Sequence, residues 1–156
     1  MNMKTIVVVV TAALGLLVNP AARAADNPAL MEPVKSVYDH YLKVESALAS
    51  DSVKGVDEHA NAIAKAVRGD DMKMLPADVA QEADRLATAK DLKSAREAFK
   101  PLSASLIKYL TDNKVAKGTY HEAYCPMVKA SWLQTEKAIK NPYMGKSMLT
   151  CGELKN

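Results

Sequence analysis

The stretch DLKSAREAFKPLSASLIKYLTDN, residues 91–113, shows most clearly what kind of fold this chain adopts. Its apolar residues recur at intervals of three and four, which places them on one face of an α-helix. Pro101 lies inside the pattern, and because proline removes a backbone N–H we expect a kink there. The stretch therefore predicts a long helix that begins near Asp91 and carries the apolar stripe Leu92, Ala95, Phe99, Leu102, Leu106 and Tyr109.

Three more helical patterns precede this one. The second begins at Ser50 or Asp51 as N-cap and ends at Gly69, and the third opens at Leu75-Pro76. Strand signals are weak, because Ala, Leu, Lys and Glu dominate after residue 24. The sequence therefore predicts an all-α fold, an up-down helical bundle of four to five helices. The stripe of its first helix comprises Leu30, Val34, Val37, Tyr41, Val44 and Leu48.

Downstream of the long helix the pattern changes to one of turns. Gly118 breaks the helix, and Pro126 suits the first turn of a further helix that runs to about Ile139. NPYMG, residues 141–145, has the composition of a turn, and a short turn or helical stub follows at residues 147–151. We therefore expect an irregular C-terminal cap on the bundle.

Residues 1–24 have the pattern of a secretory signal peptide. Lys4 supplies the positive charge, residues 6–18 are largely apolar, and Ala22-Arg23-Ala24 is the small-x-small motif that signal peptidase recognises. The sequence thus predicts Sec-type export to the periplasm and cleavage after residue 24. One mature domain, residues 25–156, is expected, with no membrane insertion after cleavage.

Composition argues against several classes of function. Cleavage removes Lys4 and Arg23 from 21 basic residues, which leaves 19 against 18 acidic residues. This near-neutral balance gives no support to binding of nucleic acid or of an anionic membrane surface. The sequence has no Gly-rich phosphate loop, no HExxH and no C-x-x-C, so we predict that the protein is not an enzyme.

Candidate metal donors are concentrated in two segments, HEAYCPM at residues 121–127 and MLTCG at residues 148–152. Cys and Met sulfur favour Cu(I) or Ag(I), and Cys with His also suits Zn(II). Cys125 lies beside the start of the helix predicted from Pro126, where the helix dipole would lower its pKa. One interpretation of these donors is a soft-metal site, which would take Cu(I), Ag(I) or Zn(II). Its ligands are His121, Cys125, Met127, Met148 and Cys151, and Met144 and His59 are additional candidates.

A disulfide is the alternative that these residues leave open. Two cysteines in an exported domain commonly pair, and a Cys125–Cys151 bond would stabilise the fold by roughly 3.5 kcal/mol in the chain-entropy model. The protein would then bind no metal and serve as a structural or interaction module of the cell envelope. Trp132 is expected to pack under the cap with its indole N–H on a turn carbonyl, and His40 is expected at the surface.

The C-terminal third also resembles a known family. YCPM at residues 124–127, Trp132-Leu133, NPYMG at residues 141–145 and MLTCG at residues 148–152 form a motif series. The series resembles a periplasmic helical domain of unknown function that occurs alone or fused to the membrane-fusion subunits of copper and silver efflux pumps. The resemblance implies a helical bundle, an exported location and a heavy-metal efflux component as partner. With it, we predict the soft-metal site rather than the disulfide, with copper preferred over zinc or silver. It makes four positions the favoured metal ligands: Cys125, Met127, Met148 and Cys151.

Overall fold

The computed structural model describes residues 30–115 and 120–155. Within these residues four α-helices precede a small antiparallel sheet, and the predicted signal peptide, residues 1–24, lies outside them. The helices are α1 (Val34–Ala49), α2 (Val56–Arg68), α3 (Ala77–Ala87) and α4 (Leu92–Asp112). The strands are β1 (His121–Cys125), β2 (Ala130–Gln134) and β3 (Glu153–Leu154), and a 3₁₀ helix spans Gly145–Met148.

Most residues of the helical stripes form the core, as the sequence predicts, but Leu92 and Tyr109 of the α4 stripe are only partly buried. All six stripe residues of the first helix are buried, as are Val79, Ala83 and Leu86 of α3. Helix α4 begins where expected, because Asp91 accepts a hydrogen bond from the Ser94 backbone N–H at 2.7 Å and donates its own N–H to the Ser94 hydroxyl. This reciprocal pair satisfies two N–H groups that the first turn leaves without helical partners.

The predicted N-cap of α2, Ser50 or Asp51, is wrong: the helix begins four to five residues later, at the N-cap Gly55. Ser50 instead ends α1, where its N–H bonds to the carbonyls of Ser46 and Ala47. Asp51 has a φ of +58°, which is incompatible with a right-handed helix, and Gly55 with a φ of +78° is the actual N-cap. The chain therefore makes a connection between α1 and α2 that exposes Val53, although the apolar spacing Val53, Val56, Ala60 predicts that it lies on the core face of the second helix.

The all-α prediction is corrected by the sheet. Where a helix was predicted from Pro126 to Ile139, residues 126–129 form a turn and β2 follows. Lys129 has a φ of +51°, which ends any helical path. Trp132, Leu133 and Gln134 are all buried, so β2 is covered on both faces. A strand buried on both faces lacks the polar–apolar alternation by which strands are recognised in a sequence.

Strand β1 is the centre of the sheet, with the strand order β2-β1-β3 and both pairings antiparallel. The register sets His121 opposite Gln134 at one end of the hairpin and Cys125 opposite Ala130 at the other. The hairpin turn at residues 126–129 lies next to Cys125. The imidazole of His121 and the thiol of Cys125 therefore belong to opposite ends of β1.

Tyr41 joins the sheet to the helices. Its hydroxyl accepts a hydrogen bond from the Leu133 backbone N–H at 3.1 Å and pairs with the Ser103 hydroxyl of α4 at 2.8 Å. Its ring stacks on Phe99 with the centroids 4.9 Å apart. Because β2 is an edge strand, its outward N–H would otherwise be buried without a partner. One fully buried side chain thus connects α1, α4 and β2.

None of the helices in residues 30–115 and 120–155 combines the length and the apolar character that a bilayer span requires.

Glu45 is a carboxyl group inside the fold. It lies in α1, is 6% exposed, and its Oε1 has no hydrogen-bond partner in the described part of the chain. Burial raises the pKa of Glu45 to about 8, Lys140 opposes that rise and Glu136 adds to it. The folded protein therefore holds a proton on Glu45 at neutral pH, where the unfolded chain has released it.

Glu45→Gln should remove one component of the pH dependence of stability. Because the folded pKa lies above the unfolded one, the neutral form is favoured by folding, and stability is lost as pH rises from about 4.5 towards about 8. The free energy of unfolding of the wild type relative to Glu45→Gln should fall by roughly 3 kcal/mol between pH 5 and pH 8. Urea unfolding at the two pH values measures this difference. The exposed Glu58→Gln should keep the wild-type profile, and parallel profiles for Glu45→Gln and wild type would contradict the assignment.

Candidate functional site

The two cysteines lie close together at one end of the central strand β1. Cys125 is the last residue of β1, and Cys151 lies between the 3₁₀ helix and β3. Their sulfur atoms are 3.8 Å apart and both are free thiols. Cys125 is fully buried, whereas Cys151 is half-buried. Among the residues that the structure describes, solvent therefore reaches the pair from the Cys151 side.

Asn141 holds the segment that carries Cys151. The side chain is fully buried, and its Nδ2 donates to the Cys151 carbonyl at 2.6 Å. Its Oδ1 accepts from the backbone N–H groups of Tyr143 and Met144, and its own backbone N–H donates to the Leu149 carbonyl at 2.7 Å. A single amide side chain thus fixes both the start and the end of the loop that leads to Cys151.

Gly152 allows the loop to approach the sheet closely. Its φ is +144°, and a Cβ on it would lie 2.9 Å from both the Trp132 ring and the Tyr124 carbonyl. The fully buried Trp132 lies beneath this loop, as predicted, but its indole N–H donates to the Gln134 side-chain oxygen at 3.0 Å rather than to a turn carbonyl. Glycine after Cys151 is therefore required for close contact, not only for turn geometry.

Arg96 binds the same loop to the helices. Its Nε donates to the Pro142 carbonyl at 2.8 Å, and its Nη2 donates to the Leu48 carbonyl and to the Asp51 carboxylate. Asp51 also accepts from the Lys146 backbone N–H. Helix α4, the end of α1 and the loop at residues 141–146 are thereby held together by one guanidinium group.

The two thiols differ in pKa, mainly because Cys125 accepts several hydrogen bonds. Burial opposes ionisation of Cys125, but the Val128 and Met127 backbone N–H groups, the Asn141 side chain and the Cys151 thiol together lower the pKa of Cys125. The pKa of Cys151 is raised, first by burial and then by the neighbouring Cys125. The predicted direction for Cys125 is confirmed, although the donors belong to the hairpin turn and not to a helix N-terminus. Cys125 is thus the more acidic thiol of the pair.

The structure brings some of the predicted ligands near the cysteines and separates others from them. Met127 lies in the hairpin turn, two residues after Cys125, and Met148 ends the 3₁₀ helix; these side chains are 62% and 40% exposed. Met148 is also tied to the site, because its carbonyl accepts the Cys151 N–H at 3.0 Å. Met144 is partly buried against the core, with its N–H on Asn141.

The two predicted histidine ligands lie elsewhere. His121 is at the opposite end of β1 from Cys125, and four residues of strand separate their Cα atoms by roughly 13 Å. His59 lies in α2, where its ring contacts His40 of α1. Within residues 30–115 and 120–155, no three His, Cys, Asp or Glu side chains form a group that could hold a metal. A metal at the cysteines would therefore rely on thiolate and thioether sulfur.

The sequence does not identify Arg96 or Asn141 as residues that position the site. Asn-Pro indicated a turn, and nothing local shows that the asparagine amide is buried and bonded to a residue ten positions away. Arg96 follows the buried Ala95 on α4, and a cation beside an apolar stripe was the available signal.

Asn141→Ala tests how the cysteine pair is built. The change leaves the Cys151 carbonyl without its donor and two backbone N–H groups without their acceptor, so we expect a loss of roughly 2 kcal/mol in the free energy of unfolding. It also removes one donor to Cys125, so the pKa of that thiol should rise. Urea unfolding and the ultraviolet absorbance of the thiolate as a function of pH, both in a Cys151→Ser background, measure the two effects.

Asn61→Ala is the matched control for that experiment, because Asn61 is exposed on α2. It should leave both stability and the titration of Cys125 unchanged. Identical titration curves for the two alanine variants would show that Asn141 does not act on the thiol.

A comparison with known proteins identifies a family through the helical part of the chain. A family model described as a protein of unknown function (DUF3347) matches residues 37–118, just over half of the chain. No curated protein and no solved structure matches. The matched region begins in α1, includes α2, α3 and α4, and ends before the strand that carries Cys125. The chain therefore belongs to the DUF3347 family of proteins of unknown function.

Proposed function

We propose that this protein binds a soft metal ion, copper as Cu(I) in the first place, at Cys125 and Cys151. It buffers the ion or delivers it to a partner and performs no catalysis. The observation that carries the proposal is the 3.8 Å separation of the two sulfur atoms beside donors that favour a thiolate. Zinc and silver are the less favoured ions.

The sulfur separation suits two thiolates on one ion. Two sulfur atoms that are 3.8 Å apart and each about 2.3 Å from a metal subtend about 111° at that metal, close to the tetrahedral angle. Thiolate and thioether sulfur are the protein ligands that Cu(I) prefers. The thioethers of Met127 and Met148 are on the segments that flank the pair, and their exposure leaves them free to turn towards a bound ion.

The surroundings also support a binding role without catalysis. The Cys151 side of the pair faces solvent, while Cys125 is buried and held by the hairpin turn. Such a site can take up and release an ion from one side without exposing it on the other. The loop that carries Cys151 is anchored on Arg96 and Asn141, so part of the binding geometry is present before the ion arrives.

The cellular role rests on the sequence. The signal-peptide pattern of residues 1–24 favours a periplasmic protein, and the motif series from residue 124 to residue 152 resembles the domain that accompanies copper and silver efflux pumps. We therefore propose a heavy-metal efflux component as the partner that receives the ion.

Cu(I) competition titration tests the site. Reduced protein under anaerobic conditions should remove one Cu(I) per chain from a chromogenic chelator. Cys125→Ser with Cys151→Ser should weaken binding by at least about a hundredfold, since even outer contacts of a metal site contribute up to that factor. Wild-type affinity in the double serine variant would refute the proposal.

Paired methionine variants test the thioether ligands. Met127→Leu with Met148→Leu should weaken Cu(I) binding by about tenfold or more, because the ion loses soft donors while side-chain volume is kept. Met31→Leu with Met72→Leu is the control, since these side chains are also exposed, at 70% and 78%, and lie away from the cysteines in sequence. His121→Ala should not change the affinity. Equal affinity of the two methionine pairs would leave the thiolates as the sole protein ligands.

The second candidate function is a structural or interaction module of the cell envelope without metal, stabilised by a Cys125–Cys151 disulfide. The same proximity favours it, because the sulfur atoms need to approach by less than about 2 Å to reach bonding distance. Intact mass of protein isolated from the periplasm, with and without thiol alkylation, separates the two. A mass lower by two protons, no alkylation and no Cu(I) binding would establish this candidate in place of the metal site.

A further inference from the structure

The facing histidines of α1 and α2 form a cluster that the cysteine site does not use. His40 Nδ1 and His59 Nδ1 are 3.0 Å apart, and the ring centroids are 5.2 Å apart with the ring planes tilted by 41°. Both side chains are half-buried, so each imidazole is partly covered by the protein and partly exposed to solvent. The sequence predicts His40 at the surface and makes His59 a candidate ligand at the cysteines, and it does not predict this contact.

We propose that His40 and His59 form a second metal site, which takes a divalent first-row cation between their Nδ1 atoms. Two nitrogens that are 3.0 Å apart and each about 2.05 Å from a metal subtend about 94° at that metal, an angle between adjacent ligands in square-planar or octahedral geometry. Imidazole nitrogen suits Cu(II), Ni(II) and Zn(II), and the general order of affinities places Cu(II) first.

The local structure keeps the two rings in this arrangement. Helix α1 packs against α2, and the backbone N–H of His59 donates to the Gly55 carbonyl at 3.0 Å in the first turn of α2. Gly55 lies beside the imidazole, where a Cβ would be at ordinary van der Waals distance, 3.9 Å, from the His59 ring. Asp57 and Glu58 are in the same turn, and their charges favour the approach of a cation.

Without metal, the same two nitrogens share one proton. The separation of 3.0 Å requires one ring to donate its Nδ1–H and the other to accept. For a cation to bind both Nδ1 atoms, the ring that donates gives up its Nδ1 proton to solvent and takes one from solvent on Nε2, while the accepting ring already carries its proton on Nε2. Both rings are then neutral, and no net proton is released. Water completes the coordination, since the described residues contain no third His, Cys, Asp or Glu in this cluster.

This site is separate from the cysteine pair in place and in chemistry. His40 precedes Leu48, whose carbonyl binds Arg96 at the C-terminal loop, by eight residues of α1 or about 12 Å of helix. Nitrogen ligands favour divalent ions, whereas the thiolates favour Cu(I). The inference does not depend on the proposed function, and the chain offers His121 as an internal reference.

Nitrogen-15 NMR of the imidazole rings tests the site, with Zn²⁺ as a diamagnetic probe and Cys125→Ser with Cys151→Ser as the parent protein. Zinc should shift the Nδ1 signals of His40 and His59 together, with one equivalent per chain, and leave the His121 ring unchanged. Failure of Cu(I) binding in the wild type would not affect this result, because the parent lacks both thiols.

Single variants separate chelation from independent binding. His40→Gln and His59→Gln should each abolish the shift of the remaining ring and weaken zinc binding by about tenfold or more, whereas His121→Gln should match the parent. The backbone amide spectrum reports whether each variant is folded. The proposal is overturned if zinc shifts neither ring, shifts Nε2 in place of Nδ1, or still shifts one ring when the other is removed.

Discussion

The C-terminal part of this protein depends on the side chain of Arg96. Its guanidinium group joins three segments that are far apart in the chain, since it donates to the Leu48 and Pro142 carbonyls and to the Asp51 carboxylate. The Leu48 carbonyl also accepts the Asp51 N–H at 3.1 Å, and the planar guanidinium has enough donors to reach this carbonyl, the Pro142 carbonyl and the Asp51 carboxylate at once. Gly145 completes the arrangement, because any Cβ there would overlap both Asp51 and Arg96.

The two cysteines lie close together because the loop that carries Cys151 is anchored in this way. With the loop held on Arg96 at one end, Asn141 closes it by bonding the Cys151 carbonyl, and Gly152 lets it lie against Trp132. Tyr143 extends the contact, since its hydroxyl donates to the Ser131 carbonyl at 2.6 Å and its ring meets Trp132 edge to face. Two thiols that are 26 residues apart are thereby held at 3.8 Å in surroundings that stabilise a thiolate on one of them.

Local pattern predicted the helical part of the fold well and the cap poorly. Helices α1, α3 and α4 were located by stripes and capping residues, which act within a few positions of the chain. The hairpin was missed because β2 is covered on both faces, and its strand conformation is stabilised by β1, Tyr41 and the packing of Trp132. At the site, the cysteines and flanking methionines were identified from residue type, whereas Arg96 and Asn141 act through contacts 10 to 48 residues away.

The sequence by itself determined which segments are amphipathic helices and which residue types can bind soft metals, because periodicity, capping and side-chain chemistry are local properties. Tertiary structure alone decided which of these residues meet. It separates His121 from Cys125 along an extended strand, brings Cys151 to Cys125 across a loop, and places His40 against His59 where α1 packs on α2. The reason is that side-chain proximity follows from the register of strands and the packing of helices, which depend on the whole core and not on the residues that come into contact.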